Sequence, residues 1–130
     1  VNICLKYNIQ SIIATNTSTQ YSLIKKNTSN LKGGISGKSL FLHSNKTLSF
    51  LNNISKKKIQ IIGVGGIHDT RSLIKKIELG ADAVQLYSSL VFKGPNLIEK
   101  LIYNLHLHLK NLNLSNLNQL KSKINAEKKK

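Results

Sequence analysis

Two apolar, β-branched runs, Ile61-Ile62-Gly63-Val64-Gly65-Gly66-Ile67 and Ala83-Val84-Gln85-Leu86-Tyr87-Ser88-Ser89, stand roughly twenty residues apart and constrain this chain more than any other feature. Runs of that length and composition read as buried strands. Between them, Asp69 or Thr70 can cap a helix, Leu73, Ile74 and Ile77 give it an apolar stripe at spacings of three and four, and Gly80 stops it. A strand, a crossover helix and a second strand make a parallel pair, because parallel neighbours need a connection of that length.

The same alternation extends to both sides. Ser11-Ile12-Ile13-Ala14-Thr15-Asn16 reads as a further buried strand, followed by a long loop through Lys32-Gly33-Gly34-Ile35-Ser36-Gly37-Lys38. Ser44 is placed to cap a helix carrying Leu48, Leu51 and Ile54 on one face, with Lys56–Lys58 closing it where the helix dipole favours cations. After the third strand, Gly94-Pro95 starts a helix whose buried side is expected to carry Leu97, Ile98, Leu101, Ile102, Leu105 and Leu109. Beyond Asn111 the sequence turns polar and Lys-rich, with a short amphipathic helix possible over Ser115–Ile124 and frayed last residues.

The order β-α-β-α-β-α, with strands at about 11–16, 59–64 and 83–87, implies an α/β fold whose parallel sheet is covered on both faces. An open doubly wound sheet and an eight-stranded barrel both use such units. The barrel is favoured, because the loops after its last two strands commonly form a phosphate site with a short extra helix, and here Gly65-Gly66 and Tyr87-Ser88-Ser89 end adjacent strands. With 130 residues there is at most one domain, and Val1 in place of an initiator suggests the end of a longer polypeptide.

Chemistry concentrates at the strand ends. Gly65 and Gly66 lack Cβ atoms, so an anion can approach their N–H groups; a tight strand-to-helix turn would use the same residues. The pattern is neither a Walker loop nor a Rossmann fingerprint, and Gly37-Lys38-Ser39 follows a loop rather than a strand. Thr15, Asn16 and Thr17 fall where a strand would deliver side chains to a ligand, and an Asn amide can read a heterocycle or a carboxylate without charge, although a local Asx turn is equally compatible. His43, His68, His106 and His108 suit surface or capping roles, and no carboxylate pair suggests a general base. The net charge of +15 rests on lysines at 25–26, 56–58, 75–76 and 128–130, with Arg71 the only arginine and few aromatics among them, a pattern expected of a solvated surface rather than a nucleic-acid face. Cys4 is alone, so neither a disulfide framework nor a cysteine metal site is expected, and no run approaches the ~18 apolar residues of a membrane span.

Taken in order, Ala14-Thr15-Asn16-Thr17, Gly33-Gly34-Ile35-Ser36-Gly37-Lys38, Ile61–Ile67, Gly80-Ala81, Val84–Ser88 and Phe92-Lys93-Gly94-Pro95 resemble the carboxyl-terminal part of dihydroorotate dehydrogenase. The Gly-Gly-Ile-Ser-Gly-Lys segment is most similar to the quinone-dependent, membrane-associated class. The resemblance implies the last three β/α units of a (β/α)8 TIM barrel that binds FMN and oxidises dihydroorotate to orotate in pyrimidine (UMP) synthesis. The partial barrel would occupy residues 1–111, and 112–130 would be a Lys/Asn-rich tail. By the same resemblance, Thr15 and Gly37 contact the flavin, Asn16 and Thr17 bind orotate, and Gly65, Gly66, Tyr87 and Ser88 hold the FMN phosphate end. A location on the cytoplasmic side of the inner membrane, as a peripheral protein, is implied too.

The catalytic serine of that class, other substrate-binding asparagines and a flavin-contacting lysine belong to earlier strands, so no catalytic residue is expected in this chain. Cys4 is no substitute, and Ser39 stands where the family usually has proline. An isolated three-strand piece is expected neither to fold stably nor to turn over substrate, since its sheet edges and helix faces lack partners. The alternative expectation is a non-catalytic phosphate-binding half-barrel, or one half of a split enzyme.

Overall fold

A computed structural model of the protein describes residues 1–24 and 32–127. Lys25–Lys26 and Lys128–Lys130, among the basic clusters noted above, lie outside the described residues.

The elements run in chain order as α1 (Asn2–Lys6), β1 (Ser11–Ala14), α2 (Phe41–Ser55), β2 (Gln60–Val64), α3 (Thr70–Glu78), β3 (Ala83–Gln85), α4 (Ser88–Lys93), α5 (Asn96–Asn111) and α6 (Leu117–Glu127). The three strands form one parallel sheet in the order β1-β2-β3. Ala14 pairs with Gly63 and Gly63 with Val84, so these three residues form one row across the sheet. The strands are shorter than their apolar runs. β1 stops at Ala14 and β3 at Gln85, which releases Thr15–Thr17 and Leu86–Tyr87 into loops at the same end of the sheet, the second leading directly into α4 at Ser88.

Only one face of the sheet is covered, contrary to the two-sided burial expected from the apolar strands. On the helix side Ala14, Ile61, Gly63 and Ala81 are buried, with Leu48 of α2 against Ile61 and Ala81. A second cluster joins Ile67, Leu73 and Ile77 to Leu97, Leu101 and Leu109 of α5 and Leu120 of α6, so α6 closes onto this core. The opposite row tells a different story: Ile13 is 59% exposed, and Ala83 is exposed beside half-buried Ile62. That face bears apolar side chains with nothing packed on it among the described residues. Such a sheet has the composition of a buried one and the surroundings of one wall.

Three helix readings change. Helix α2 begins at Phe41 after a 3-10 turn at Gly37–Leu40, so Ser44 does not cap it. Ser44 lies inside the helix, fully buried, where its hydroxyl donates to Gly65 O in the loop after β2 and accepts from Lys76 of α3. Ile54 of α2 and Ile98 and Ile102 of α5 are exposed rather than core-facing. Finally, Lys56 and Lys57 both take positive φ values, 49° and 63°, and turn the chain out of α2 as a left-handed cap. By contrast, α3 starts as read: Asp69 Oδ1 accepts from the Ser72 N–H at 2.7 Å and the Asp69 N–H donates to Ser72 Oγ at 3.0 Å, a capping box, and Gly80 follows at φ 107°.

Candidate functional site

Short strands place three loops at one end of the sheet, and backbone and side-chain hydrogen bonds draw them together. Ser18 and Ile35 form an antiparallel bridge, tying the loop after β1 to the glycine loop. The Ser88 hydroxyl donates to that of Ser36 at 2.8 Å, tying the glycine loop to the start of α4. The result is a cleft of about 160 Å³ lined by Thr15, Asn16, Thr17, Gly37, Gly65, Gly66, Tyr87 and Ser88 among others. All eight residues singled out from the sequence meet there.

The Val64–His68 segment has an asymmetric hydrogen-bond pattern. Each of its carbonyl oxygens is engaged from within the protein. Val64 O accepts from the Thr15 N–H at 3.2 Å and from Lys76 Nζ at 3.4 Å, Gly65 O from Ser44 Oγ at 2.8 Å, and Ile67 O from Ser89 Oγ. His68 Nδ1 lies 2.7 Å from Gly66 O, a contact that needs the ring proton on Nδ1, and Lys93 Nζ donates to His68 O at 2.6 Å. The N–H groups of Gly65, Gly66 and Ile67 donate to no acceptor among the described residues. A backbone with its acceptors tied back and its donors free is suited to an anion.

Both glycines are needed for this shape. Gly65 and Gly66 have φ values of 98° and 81°, and a Cβ on Gly66 would run into the Phe41 backbone, 2.6 Å from its nitrogen. Gly37, at φ 74°, would bring a Cβ to 3.4 Å from Ser88 Cβ, so the glycine loop lies directly against the start of α4.

The remaining residues divide between ligand-facing and local roles. Thr15 Oγ1 is buried with no partner among the described residues, the state expected of a polar atom that awaits one. Asn16 and Thr17 are exposed, and Asn16 Oδ1 accepts the N–H of the next residue, Thr17, at 2.7 Å, one residue short of an Asx turn, which leaves its amide nitrogen free to donate outward. The two serines separate: Ser88 closes the loops, whereas buried Ser89 braces Ile67. Tyr87 is almost fully exposed, so what it offers the cleft is its backbone.

Three contributors were not legible as site residues. Lys76, read as one of a surface pair, is fully buried, and its ammonium donates to Ser44 Oγ at 2.6 Å and lies 5.9 Å from the centre of the Phe41 ring. Burial lowers its pKa to about 8. Ser44, read as a cap, and His68, read as a surface or capping residue, both hold the glycine loop. The signal for Lys76 lay in its phase: it adjoins Ile77 and falls three residues after Leu73, on the buried side of α3.

A larger cleft of about 270 Å³ lies at the other end of the strands, lined by Asn52, Gln60, Asp82 and Lys121 among others. Two of its charges are already paired: Asp82 meets Lys121 at 2.6 Å and also accepts the Ile61 N–H at 2.8 Å. In parallel sheets, ligands bind at the carboxyl ends of strands, which is where the smaller cleft sits. No helix among the described residues is long and apolar enough to cross a membrane.

Comparison with known proteins bears on this geometry. The family model described as dihydroorotate dehydrogenase matches residues 1–109. The chain is 45% identical over 102 residues to dihydroorotate dehydrogenase (quinone) of Hamiltonella defensa subsp. Acyrthosiphon pisum, covering 78% of this chain and 30% of that protein. It is 45% identical over 105 residues to the enzyme of the same name from Buchnera aphidicola subsp. Schizaphis graminum, covering 80% and 31%. Among solved structures, DHODH from Eimeria tenella in complex with ferulenol superposes with a TM-score of 0.82 at 27% identity, over 91% of this chain and 32% of that one. The chain thus spans about 30% of the length of the curated relatives it matches.

Proposed function

Because the chain belongs to the dihydroorotate dehydrogenase family, we propose that it forms the last three β/α units of an FMN-dependent, quinone-type dihydroorotate dehydrogenase. The intact enzyme would oxidise dihydroorotate to orotate in de novo pyrimidine synthesis, as a peripheral protein on the cytoplasmic side of the inner membrane. We place the barrel-derived part at residues 1–111 and treat 112–130 as an extension whose helix α6 packs back on α3 and α5.

The observation that carries the reading is the convergence of three loops on one cleft with free N–H groups at Gly65–Ile67. These residues fit FMN chemically. Gly65, Gly66, Tyr87 and Ser88 offer backbone donors for its phosphate, Gly37 gives a surface without a side chain for the ring system, and buried Thr15 Oγ1 lacks a partner that a flavin could supply. Asn16 and Thr17, beside them and exposed, are placed to orient dihydroorotate through neutral hydrogen bonds. Held by these residues, FMN would supply the hydride-accepting and electron-passing chemistry between dihydroorotate and quinone. This chain's residues bind and orient; the base that removes the substrate proton lies in the part of the enzyme outside this sequence.

A second reading, one half of a split enzyme or a non-catalytic half-barrel, draws on the apolar side chains left exposed, Ile13 on the open face of the sheet and Tyr87, Phe92 and Ile102 after β3. Each reading needs the rest of a barrel, supplied in the same chain or by another. The coding sequence upstream of Val1 separates them: five further β/α units in frame give the enzyme, and their absence gives a split or non-catalytic protein. Purification of the intact protein with FMN and quinone-dependent oxidation of dihydroorotate test the activity. An intact protein that carries no flavin refutes it.

A further inference from the structure

The ammonium of Lys76 poses a question that the residues around it do not answer. It is fully buried, and among the described residues its partners are a hydroxyl, a carbonyl oxygen and an aromatic face, with no carboxylate against it. A charge in that position is costly unless something nearby compensates it. Its contacts run to the glycine loop. Lys76 donates to Ser44 Oγ, Ser44 donates to Gly65 O, and Lys76 itself reaches Val64 O. Two successive carbonyls of the loop are thus drawn toward the ammonium, on the helix side of the sheet. The next N–H groups are left without acceptors.

We propose that Lys76 is a positioning residue for phosphate recognition: its buried charge, relayed through Ser44, holds the Val64 and Gly65 carbonyls away from the cleft and sets a positive field behind the free N–H groups. The proposal rests on the FMN reading above and deepens it by naming the counter-charge of the phosphate end. Lys76 does not line the cleft. Its effect reaches the anion through the loop geometry and through space across the strand, where the dielectric is low. Residual charge is consistent with the lowered pKa of about 8, which leaves the group mostly protonated near neutral pH.

The test compares FMN with riboflavin, which has the same ring system and no phosphate, on the intact flavoprotein after flavin removal. Lys76→Met keeps the unbranched stem and removes the charge. Ser44→Ala keeps the charge and breaks the relay. Lys76→Met is expected to weaken FMN binding roughly 10–100-fold while leaving riboflavin within about twofold, and to shift the 31P resonance of bound FMN. Ser44→Ala is expected to follow in the same direction with a smaller loss. Equal weakening of FMN and riboflavin by both variants would make Lys76 a packing residue and overturn the proposal, as would FMN binding and a 31P resonance unchanged from wild type. Failure of the underlying reading looks different: the wild-type protein itself would then bind FMN no better than riboflavin, which also removes the basis for the proposal.

Discussion

Replacing Lys76 by methionine should make the flavin-free protein more stable, while weakening its hold on the phosphate. The group's pKa falls from 10.5 to about 8 on folding, through burial. At roughly 1.4 kcal/mol for each unit, the buried ammonium costs the fold about 3 kcal/mol below pH 8. The sign follows from proton counting. Between about 8 and 10.5 the unfolded chain binds more protons at this position than the folded one, so stability rises with pH across that window and is flat below it. From about pH 7 to about pH 9.5 the gain is about 2 kcal/mol. Methionine removes the dependence and the cost, but loses hydrogen bonds to Ser44 and Val64 worth about 1 kcal/mol each. Ser44 still donates to Gly65 O, and Val64 O still accepts the Thr15 N–H, so neither becomes an orphan. The net expectation is about 1 kcal/mol of stabilisation near pH 7, reversing to destabilisation near pH 9.5. Urea unfolding of the intact apoprotein at the two pH values, wild type against Lys76→Met, measures it. A wild-type minus variant difference that does not change with pH refutes the argument, because it would mean that the ammonium is not desolvated in the fold. Bound FMN should flatten the wild-type dependence, since a nearby phosphate favours the charged amine.

Other expectations follow from single contacts. Gly66→Ala should abolish FMN retention and cost at least about 2 kcal/mol, from a positive φ and a collision with the Phe41 backbone, whereas Gly94→Ala, at φ 73° with open space around it, should cost about 1 kcal/mol and spare the flavin; equal effects in calorimetry and flavin absorbance would contradict the close-approach argument. Asn16→Ala and Thr17→Ala should raise the KM for dihydroorotate about tenfold or more with flavin content unchanged, and steady-state kinetics showing normal KM would remove both from the substrate site. For Asp69, burial tends to raise the pKa, but hydrogen bonds from Ser72 and the charges of His68 and Lys93 together leave it lowered. The charged part of its cap therefore contributes at neutral pH and is lost as pH falls through that depressed value; Asp69→Ala should cost about 1 kcal/mol near pH 7 and less in strong acid, where the neutral carboxyl still accepts the Ser72 N–H, by urea unfolding. Residues 1–130 expressed alone should bind a hydrophobic dye, aggregate and hold no FMN, because Ile13, Phe92 and Ile102 lie open; a soluble monomer with stoichiometric FMN would show that the wall stands without the barrel.

The parts of this site that were legible in the sequence are those whose chemistry is written in the backbone. Gly65 and Gly66 admit φ values that other residues resist, and a strand ending in Thr15-Asn16-Thr17 can deliver only polar groups, so residue type and order sufficed to bring eight positions to one cleft. The apolar strands were misread for a related reason. Ile13 and Ile62 are as apolar as any core residue, but composition records the environment for which a face was selected, not what covers it in a chain spanning about 30% of its relatives. On the proposed reading, two-sided burial belongs to the assembled barrel, and the exposed Ile13 row is the face that the rest of it would cover. Lys76 and Ser44 were missed because their roles are tertiary. A lysine beside another lysine reads as solvated, and a serine near a helix start reads as a cap, until α2 and α3 pack on the same side of β2 and bring Nζ within 2.6 Å of Oγ across 32 residues of chain. What could have exposed the lysine is helical phase, since Leu73, Lys76 and Ile77 share the buried stripe of α3. A charge placed in a stripe of that kind, with no carboxylate to meet it among the described residues, is the feature on which the proposed counter-ion role of Lys76 rests, with the glycine loop beside it as the place to receive the anion.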